Sequence, residues 1–235
     1  MINSIKRFAA GLLIAVLLVG TFSVTNAEAA LAKPGNARFV KWNNSKFTSC
    51  RIAWNTVSGA DYYEIVWTYT DGSHWNHRYQ YNSYNYIDIT GLDYNHVYKA
   101  QVRSLKMNGD VITDKSSWSN SVYITPWPRS IKGSLKGESD VKLSWNKISG
   151  SSGYNVFLAT NPNGTWRWNQ STDTTATATS AHVKKYSGSK LKTYQNYYFR
   201  IVTRRKQNGS FVSVPTPYDG YYSGRFYLYV SMKYN

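Results

Sequence analysis

The chain has 235 residues, of which 42% are hydrophobic and 16% aromatic, and its 28 Lys and Arg against 12 Asp and Glu give a formal charge of +16. That length suits one large domain or two small ones, and that hydrophobic content excludes a disordered chain. Only 6 prolines exclude a proline-rich stalk, and a single cysteine, Cys50, excludes an intrachain disulfide framework.

Lys6 and Arg7 precede an apolar run from Phe8 to Val19, and small and polar residues then lead to Ala27-Glu28-Ala29. A charged start, a hydrophobic stretch and an A-x-A site in that order predict a secretory signal peptide over residues 1–30, cleaved after Ala29 or Ala30. The run is short for a bilayer span. No second run of membrane length follows, so no transmembrane span is expected after cleavage, and the expected location is extracellular or on the cell surface. Without Lys6, Arg7 and Glu28 the chain keeps 26 basic and 11 acidic residues. An exported chain of that balance is drawn to polyanions such as wall polymers, acidic polysaccharides, anionic membranes or released nucleic acid. No intracellular nucleic acid is expected among its partners. Charge kept for solubility is the plainer reading of the same number.

Arg51 to Trp75 (RIAWNTVSGADYYEIVWTYTDGSHW) returns as Lys142 to Trp166 (KLSWNKISGSSGYNVFLATNPNGTW) at a constant offset of 91 residues. Trp54 matches Trp145, Ser58-Gly59 matches Ser149-Gly150, and Tyr63 matches Tyr154. Cys50 falls opposite Val141 and shares a strand face with Ile52 and Trp54, which predicts a small buried hydrophobe rather than a reactive thiol. Two copies at this period mean two domains rather than a solenoid.

Each copy reads as strands. Tyr63, Ile65 and Trp67 alternate with outward residues, as do Tyr154, Val156 and Leu158, then Tyr98, Ala100 and Val102, and then Tyr197, Phe199 and Ile201. Asn108-Gly109 and Asn208-Gly209 follow the last strand of each set and suit a tight hairpin. Thr125-Pro126-Trp127-Pro128 is the expected linker, stiffened by its prolines. The domains are expected at 31–126 and 127–235.

These residues resemble fibronectin type III domains over nearly all of both copies. The resemblance is carried by Pro34, Trp54, Tyr63-x-Ile65-x-Trp67, Ile89-Thr90-Gly91-Leu92, Tyr98 six residues after Leu92, Val102-Arg103, and the closing Ser119-Asn120-Ser121-Val122-Tyr123-Ile124-Thr125. Leu191 and Tyr197 repeat the spacing of the tyrosine corner, without a Gly before Leu191. The resemblance implies an all-β chain of two tandem immunoglobulin-like β-sandwiches, strands A, B and E facing C, C′, F and G in each. It implies no single function, since such domains serve as ligands, spacers and receptors alike.

The sequence has no G-x-S-x-G elbow, phosphate loop or H-E-x-x-H motif. His74, His77 and Asp71 have donor atoms for a metal, but solvated loop histidines are the simpler reading. No catalytic residue, metal or cofactor is expected.

Binding is expected in two aromatic segments. Ile87 and Ile89 face the core by alternation, which turns Tyr84, Tyr86 and Asp88 outward, and Tyr79 and Tyr81 share a face of the preceding short strand. Flat amphipathic rings beside amides suit sugar recognition, and ordinary cross-strand tyrosine pairing is the alternative. The second segment is Trp166-Arg167-Trp168, with one of its two Trp expected to face the core. Lys184, Lys185, Lys190, Lys192 and Arg204-Arg205-Lys206 are expected as one basic face for polyanions. The expected function is non-enzymatic binding or adhesion, holding an extracellular glycan or anionic cell-wall polymer. The alternative is a structural module that binds a surface protein.

Overall fold

In the computed structural model the described residues are 30–71, 78–169, 174–207, 210–212 and 227–233. The leader reading at 1–30 lies almost wholly outside them, as do His74 and His77.

The N-terminal strands are β1 (Arg38–Trp42), β2 (Ser49–Ala53), β3 (Tyr62–Tyr69), β4 (Arg78–Asn82), β5 (Tyr86–Thr90), β6 (Tyr98–Asn108), β7 (Val111–Lys115) and β8 (Val122–Ile124). They form two antiparallel sheets, β1-β2-β5 and β4-β3-β6-β7, with β8 also pairing β6. The C-terminal strands are β9 (Lys132–Gly137), β10 (Asp140–Ser144), β11 (Gly153–Ala159), β12 (Arg167–Trp168), β13 (Ser180–Val183), β14 (Lys185–Tyr186), β15 (Ser189–Lys190), β16 (Asn196–Gln207), β17 (Ser210–Val212) and β18 (Leu228–Ser231). Here the sheets are β9-β10-β13 and β12-β11-β16-β17, with β18 pairing β16 and β14–β15 as a separate hairpin. The two orders correspond strand for strand, so the chain is all-β and holds two tandem sandwiches.

Alternation explains the layers. In β6 the residues Tyr98, Ala100 and Val102 are buried and the intervening ones are not, as a period of two requires. They meet Ile65 and Trp67 of β3, Cys50 and Ile52 of β2, and Ile87 and Ile89 of β5 in one cluster. Val141, Leu143, Tyr154, Val156, Phe199 and Ile201 form the equivalent cluster in the second sandwich. Each such aliphatic side chain contributes about 1.5–3 kcal/mol on burial.

Buried tyrosines tie down loops in both copies. The Tyr63 hydroxyl accepts from Val57 N–H at 2.8 Å and the Tyr154 hydroxyl from Ile148 N–H at 2.7 Å. Each ring meets its tryptophan edge-on, Trp54 at 5.2 Å and Trp145 at 5.4 Å. Both tyrosine corners are present: Asp93 N–H donates to the Tyr98 hydroxyl at 2.6 Å, and Lys192 N–H to the Tyr197 hydroxyl at 3.1 Å.

The two sandwiches share a built joint. Trp127 of the linker is buried in the same cluster as Val202 of the second sandwich, and Val97 of the first lies within the second core. Ser149 N–H donates to Asn95 C=O at 2.7 Å while Val97 N–H donates to Ser149 C=O at 2.9 Å. The Thr203 hydroxyl donates to Pro126 C=O at 2.6 Å. The expected proline-stiffened linker is therefore only part of the joint, which loops from both copies complete.

Candidate functional site: an aromatic sheet face on the second sandwich

Because Tyr197, Phe199 and Ile201 point inward, Tyr198 and Arg200 of β16 point outward. Strand pairing brings other outward residues beside them. Phe157 of β11 pairs with Trp168 on one side and Arg200 on the other, and Tyr198 pairs with Tyr229 of β18. The row spans four strands, about 14 Å at the usual strand spacing.

Ring contacts close the row. The Arg200 guanidinium lies 3.7 Å from the centre of the Trp166 ring. Trp166 approaches Tyr227 at 6.2 Å, Tyr227 meets Tyr198 edge-on at 5.2 Å, and Tyr198 contacts Tyr229 at 5.4 Å. The Trp166 indole donates to Pro162 C=O at 3.3 Å, and the Tyr229 hydroxyl donates to Asn196 Oδ1 at 2.9 Å. Trp168 is 44% exposed and Tyr229 50%. At the joint end the face is closed, since Val202 is buried with Trp127.

Beside Trp168 a cleft of about 480 Å³ separates β12 from the β14–β15 hairpin, lined by Arg167, Trp168, Asn169, Lys185, Tyr186 and Gly188 among others. The Asn169 amide donates to Lys185 C=O at 3.1 Å, which ties the two walls together. Ser187 and Gly188 have positive φ, 49° and 85°. This allows the two-residue turn between the paired Tyr186 and Ser189.

Charge is unevenly divided. Residues 31–126 hold 10 Lys and Arg against 7 Asp and Glu, and residues 127–235 hold 16 against 4. Of those four acids, Glu138 and Asp140 are described, and both lie at the β9–β10 hairpin in the other sheet. Asp140 pairs with His182 at 3.0 Å and with Lys184 at 3.6 Å. Among the described residues the aromatic face carries no acid.

The structure thus brings Arg167, Trp168 and Lys185 to the lining of one cleft and sets Trp166 against Arg200. It corrects the expectation that one of the two tryptophans faces the core: Trp166 is half-buried under Arg200 and Trp168 is exposed. It also divides the single basic face. Lys184 turns towards Asp140. Arg204 donates to Thr174 C=O and Arg205 to Gly150 C=O, at 2.9 and 3.0 Å, at the joint end of β16. The Arg205 guanidinium also lies 5.4 Å from the Tyr123 ring of the first sandwich. Lys206 is exposed beyond them, its N–H bonded to the Ser152 hydroxyl. Gly153, opposite Arg204, is five residues along β11 from Leu158, opposite Arg167, about 16 Å away.

In the first sandwich Ile87 and Ile89 are buried while Tyr84 is 64% and Tyr86 37% exposed, as alternation requires. Tyr84 stacks on Tyr86 at 5.8 Å, and the Arg51 guanidinium lies 4.3 Å from the Tyr86 ring. Arg51 also grips Asp88 with two bonds of 2.9 and 2.6 Å. This fork holds the Asp88 carboxyl below its usual range, with Asn43 adding a further bond. Tyr79 and Tyr81 belong to β4, where they pair with Val66 and Glu64 in the opposite sheet. The four tyrosines therefore do not form one stripe, because the chain crosses between sheets at Ser83–Asn85.

Phe157, Tyr198, Arg200, Tyr227 and Tyr229 were not among the expected site residues. The outward direction of Tyr198 and Arg200 follows from the alternation around Tyr197, Phe199 and Ile201, and that of Phe157 from the alternation of Tyr154, Val156 and Leu158, but the adjacency of the five depends on pairing across strands. Among the described residues no group of three His, Cys, Asp or Glu is placed to hold a metal. No helix among them is long and apolar enough to cross a membrane.

A three-stranded A-B-E sheet against a C′-C-F-G sheet, twice, with a tyrosine corner in each, is the arrangement of a tandem fibronectin type III protein. No family model matches the chain, and no curated protein matches it. Among solved structures it is similar to the two fibronectin type III domain segment from chicken tenascin, at 16% identity over 74% of this chain and 92% of that one, with a TM-score of 0.34. It is also similar to an Fn3-like protein from Clostridium thermocellum, at 19% identity over 42% of this chain and 95% of that one, TM-score 0.34. At these identities and scores neither similarity bears on function.

Proposed function

We propose that this protein is an extracellular, non-catalytic binding module that holds a glycan or anionic cell-wall polymer on the outer face of β12-β11-β16-β18. The observation that carries the reading is the contiguous set in which Trp168, Phe157 and Arg200 stand in register and Tyr198 and Tyr229 pair with each other two residues away along β16. Flat rings offer stacking surface to the CH faces of sugars, and the amphipathic tyrosines add hydroxyls for hydrogen bonding. An open sheet face suits an extended chain better than a small metabolite, which favours an enclosing pocket. Export, expected from the leader, would bring the face to such polymers. Equilibrium binding to purified wall polysaccharide tests this. Trp168→Ala with Tyr229→Ala should weaken binding at least about tenfold, with the melting temperature little changed because both side chains are exposed. Equal binding by wild type and variant would overturn it.

A further inference from the structure

The β14–β15 hairpin departs from an ordinary strand pair in its charges. Its two cross-strand pairs are Tyr186 with Ser189 and Lys185 with Lys190. Tyr186 packs against the second core and meets Tyr197 edge-on at 5.8 Å. Neighbours along a strand point to opposite sides, so Lys185 and Lys190 share the hairpin's other side, and both are exposed. Residues directly opposite stand about 5 Å apart at Cβ, and like charges there destabilise the pair. Among the described residues neither lysine has a carboxylate partner, and Asp140 is taken by His182 and Lys184. The rest of the hairpin is regular, with Leu191 N–H donating to Lys184 C=O at 3.1 Å across its base. A local rule broken inside an otherwise regular element is a mark of functional sites. Arg167 of β12 lines the same cleft of about 480 Å³ as Lys185. It too is exposed and has no carboxylate partner among the described residues. The Asn169 bond to Lys185 C=O ties the end of β12 to the hairpin. Three strands thus bring three uncompensated cations to one region, whose positive potential attracts an anion. Two of the three are lysines, point charges without the planar fork that matches a carboxylate. A tetrahedral phosphate instead offers oxygens in several directions to separate donors.

We propose that Lys185, Lys190 and Arg167 hold the phosphates of a phosphodiester-linked extracellular polymer, a polyol-phosphate chain of a cell wall. The bound phosphate removes the repulsion between Lys185 and Lys190 and so orders the hairpin. This rests on the proposed reading of the protein as a holder of extracellular polymers and gives it a charged foothold. The foothold uses no ring of the aromatic face, so the two can be tested apart.

Isothermal titration of the whole protein would use three probes: poly(glycerol phosphate), oligogalacturonate and single-stranded DNA. Poly(glycerol phosphate) is expected to bind best, to weaken as salt is added, and to slow amide hydrogen exchange at Leu191. K185Q with K190Q should weaken its binding about tenfold or more, since charge-assisted hydrogen bonds are lost, and R167Q should weaken it too. K190E turns the like pair into an opposite pair. Without ligand it should slow exchange at Leu191 about twofold or more, and the polymer should then have no further effect. Unchanged binding by K185Q/K190Q would overturn the site and leave its lysines as charge on an exposed hairpin edge. Oligogalacturonate or single-stranded DNA binding as tightly as poly(glycerol phosphate) would also overturn it, in favour of a carboxylate polymer or of nucleic acid. Poly(glycerol phosphate) binding that depends on Lys185 and Lys190, beside wall-polysaccharide binding that Trp168→Ala/Tyr229→Ala leaves intact, would support this site and overturn the aromatic face. Unchanged melting of K185Q/K190Q, whose side chains are exposed, separates lost binding from lost folding.

Discussion

Gly59 and Gly150 occupy the same turn of the two copies, yet a Cβ on Gly150 would sit 2.1 Å from the Thr70 hydroxyl, whereas around Gly59 nothing lies within 4 Å. Both have positive φ, 78° and 76°. Backbone need is therefore equal at the two positions, and only the second also requires the absence of a side chain. Gly59→Ala should cost about 1–2 kcal/mol, the ordinary penalty of a left-handed residue. Gly150→Ala should cost at least about 1 kcal/mol more through overpacking and should loosen the joint. Urea denaturation of the two variants, with small-angle scattering for the joint, makes the comparison; equal costs would contradict it.

The tyrosine corners differ in what hangs from them. Asp93, held by Tyr98, begins the loop whose Asn95 and Val97 bond Ser149 across the joint. Lys192, held by Tyr197, leads to no such contact among the described bonds. Tyr98→Phe and Tyr197→Phe should each cost about 1–2 kcal/mol, because each leaves a backbone N–H without its acceptor. Only Tyr98→Phe should also speed amide hydrogen exchange at Val97 and Ser149.

Cys50 is fully buried, and burial, followed by the nearby Asp88 charge, pushes its thiol far above the usual range. A thiol reagent should therefore label it only after denaturation. Cys50→Val should change stability by less than about 1.5 kcal/mol, since Val141 fills the equivalent slot. Mass spectrometry of labelled native and unfolded protein checks the first point and a thermal melt the second.

The pH dependence has a sign at each end. Cys50 and Tyr98 are both raised by burial from ordinary values of 9.0 and 10.0. Above those values the unfolded chain loses protons that the folded chain keeps, so stability falls as pH rises through 9 and 10. Asp88 is lowered from 3.8, chiefly by the Arg51 hydrogen bond. Its contribution is present above that value and is lost as pH falls below it. Denaturant midpoints across pH should show both declines, and D88N should flatten the acidic one.

Tyr84 and Tyr86 are next-but-one neighbours with unequal surroundings. Tyr84→Ala should fall within about 0.5 kcal/mol, as exposed changes do. Tyr86→Ala removes the ring against which Arg51 lies and should cost about 1 kcal/mol. Thermal melts of the single variants decide this, and a smaller cost at Tyr86 would count against a structural role for its ring.

Residue pattern alone determined the two copies, the strands within them and the buried side of each strand. Trp54 and Trp145, Tyr63 and Tyr154, and Cys50 and Val141 can be matched by counting, and alternation then assigns Ile87 inward and Tyr86 outward. The tyrosine corners were also legible, because a local spacing of six residues defines them. These features are local: a period of two and a short offset specify direction without reference to any partner strand.

What the outward residues have as neighbours was decided only by tertiary structure. Tyr79 and Tyr86 are seven residues apart but lie in different sheets. Trp168 and Arg200 are 32 residues apart but flank the same Phe157. The run Arg204-Arg205-Lys206 reads as surface charge, yet Arg204 and Arg205 bond loop carbonyls at the joint end, where docking of the first sandwich engages Arg205. Pairing and register are set by burying two whole cores at once, so the aromatic face and its basic cleft emerge from a choice that no single segment makes.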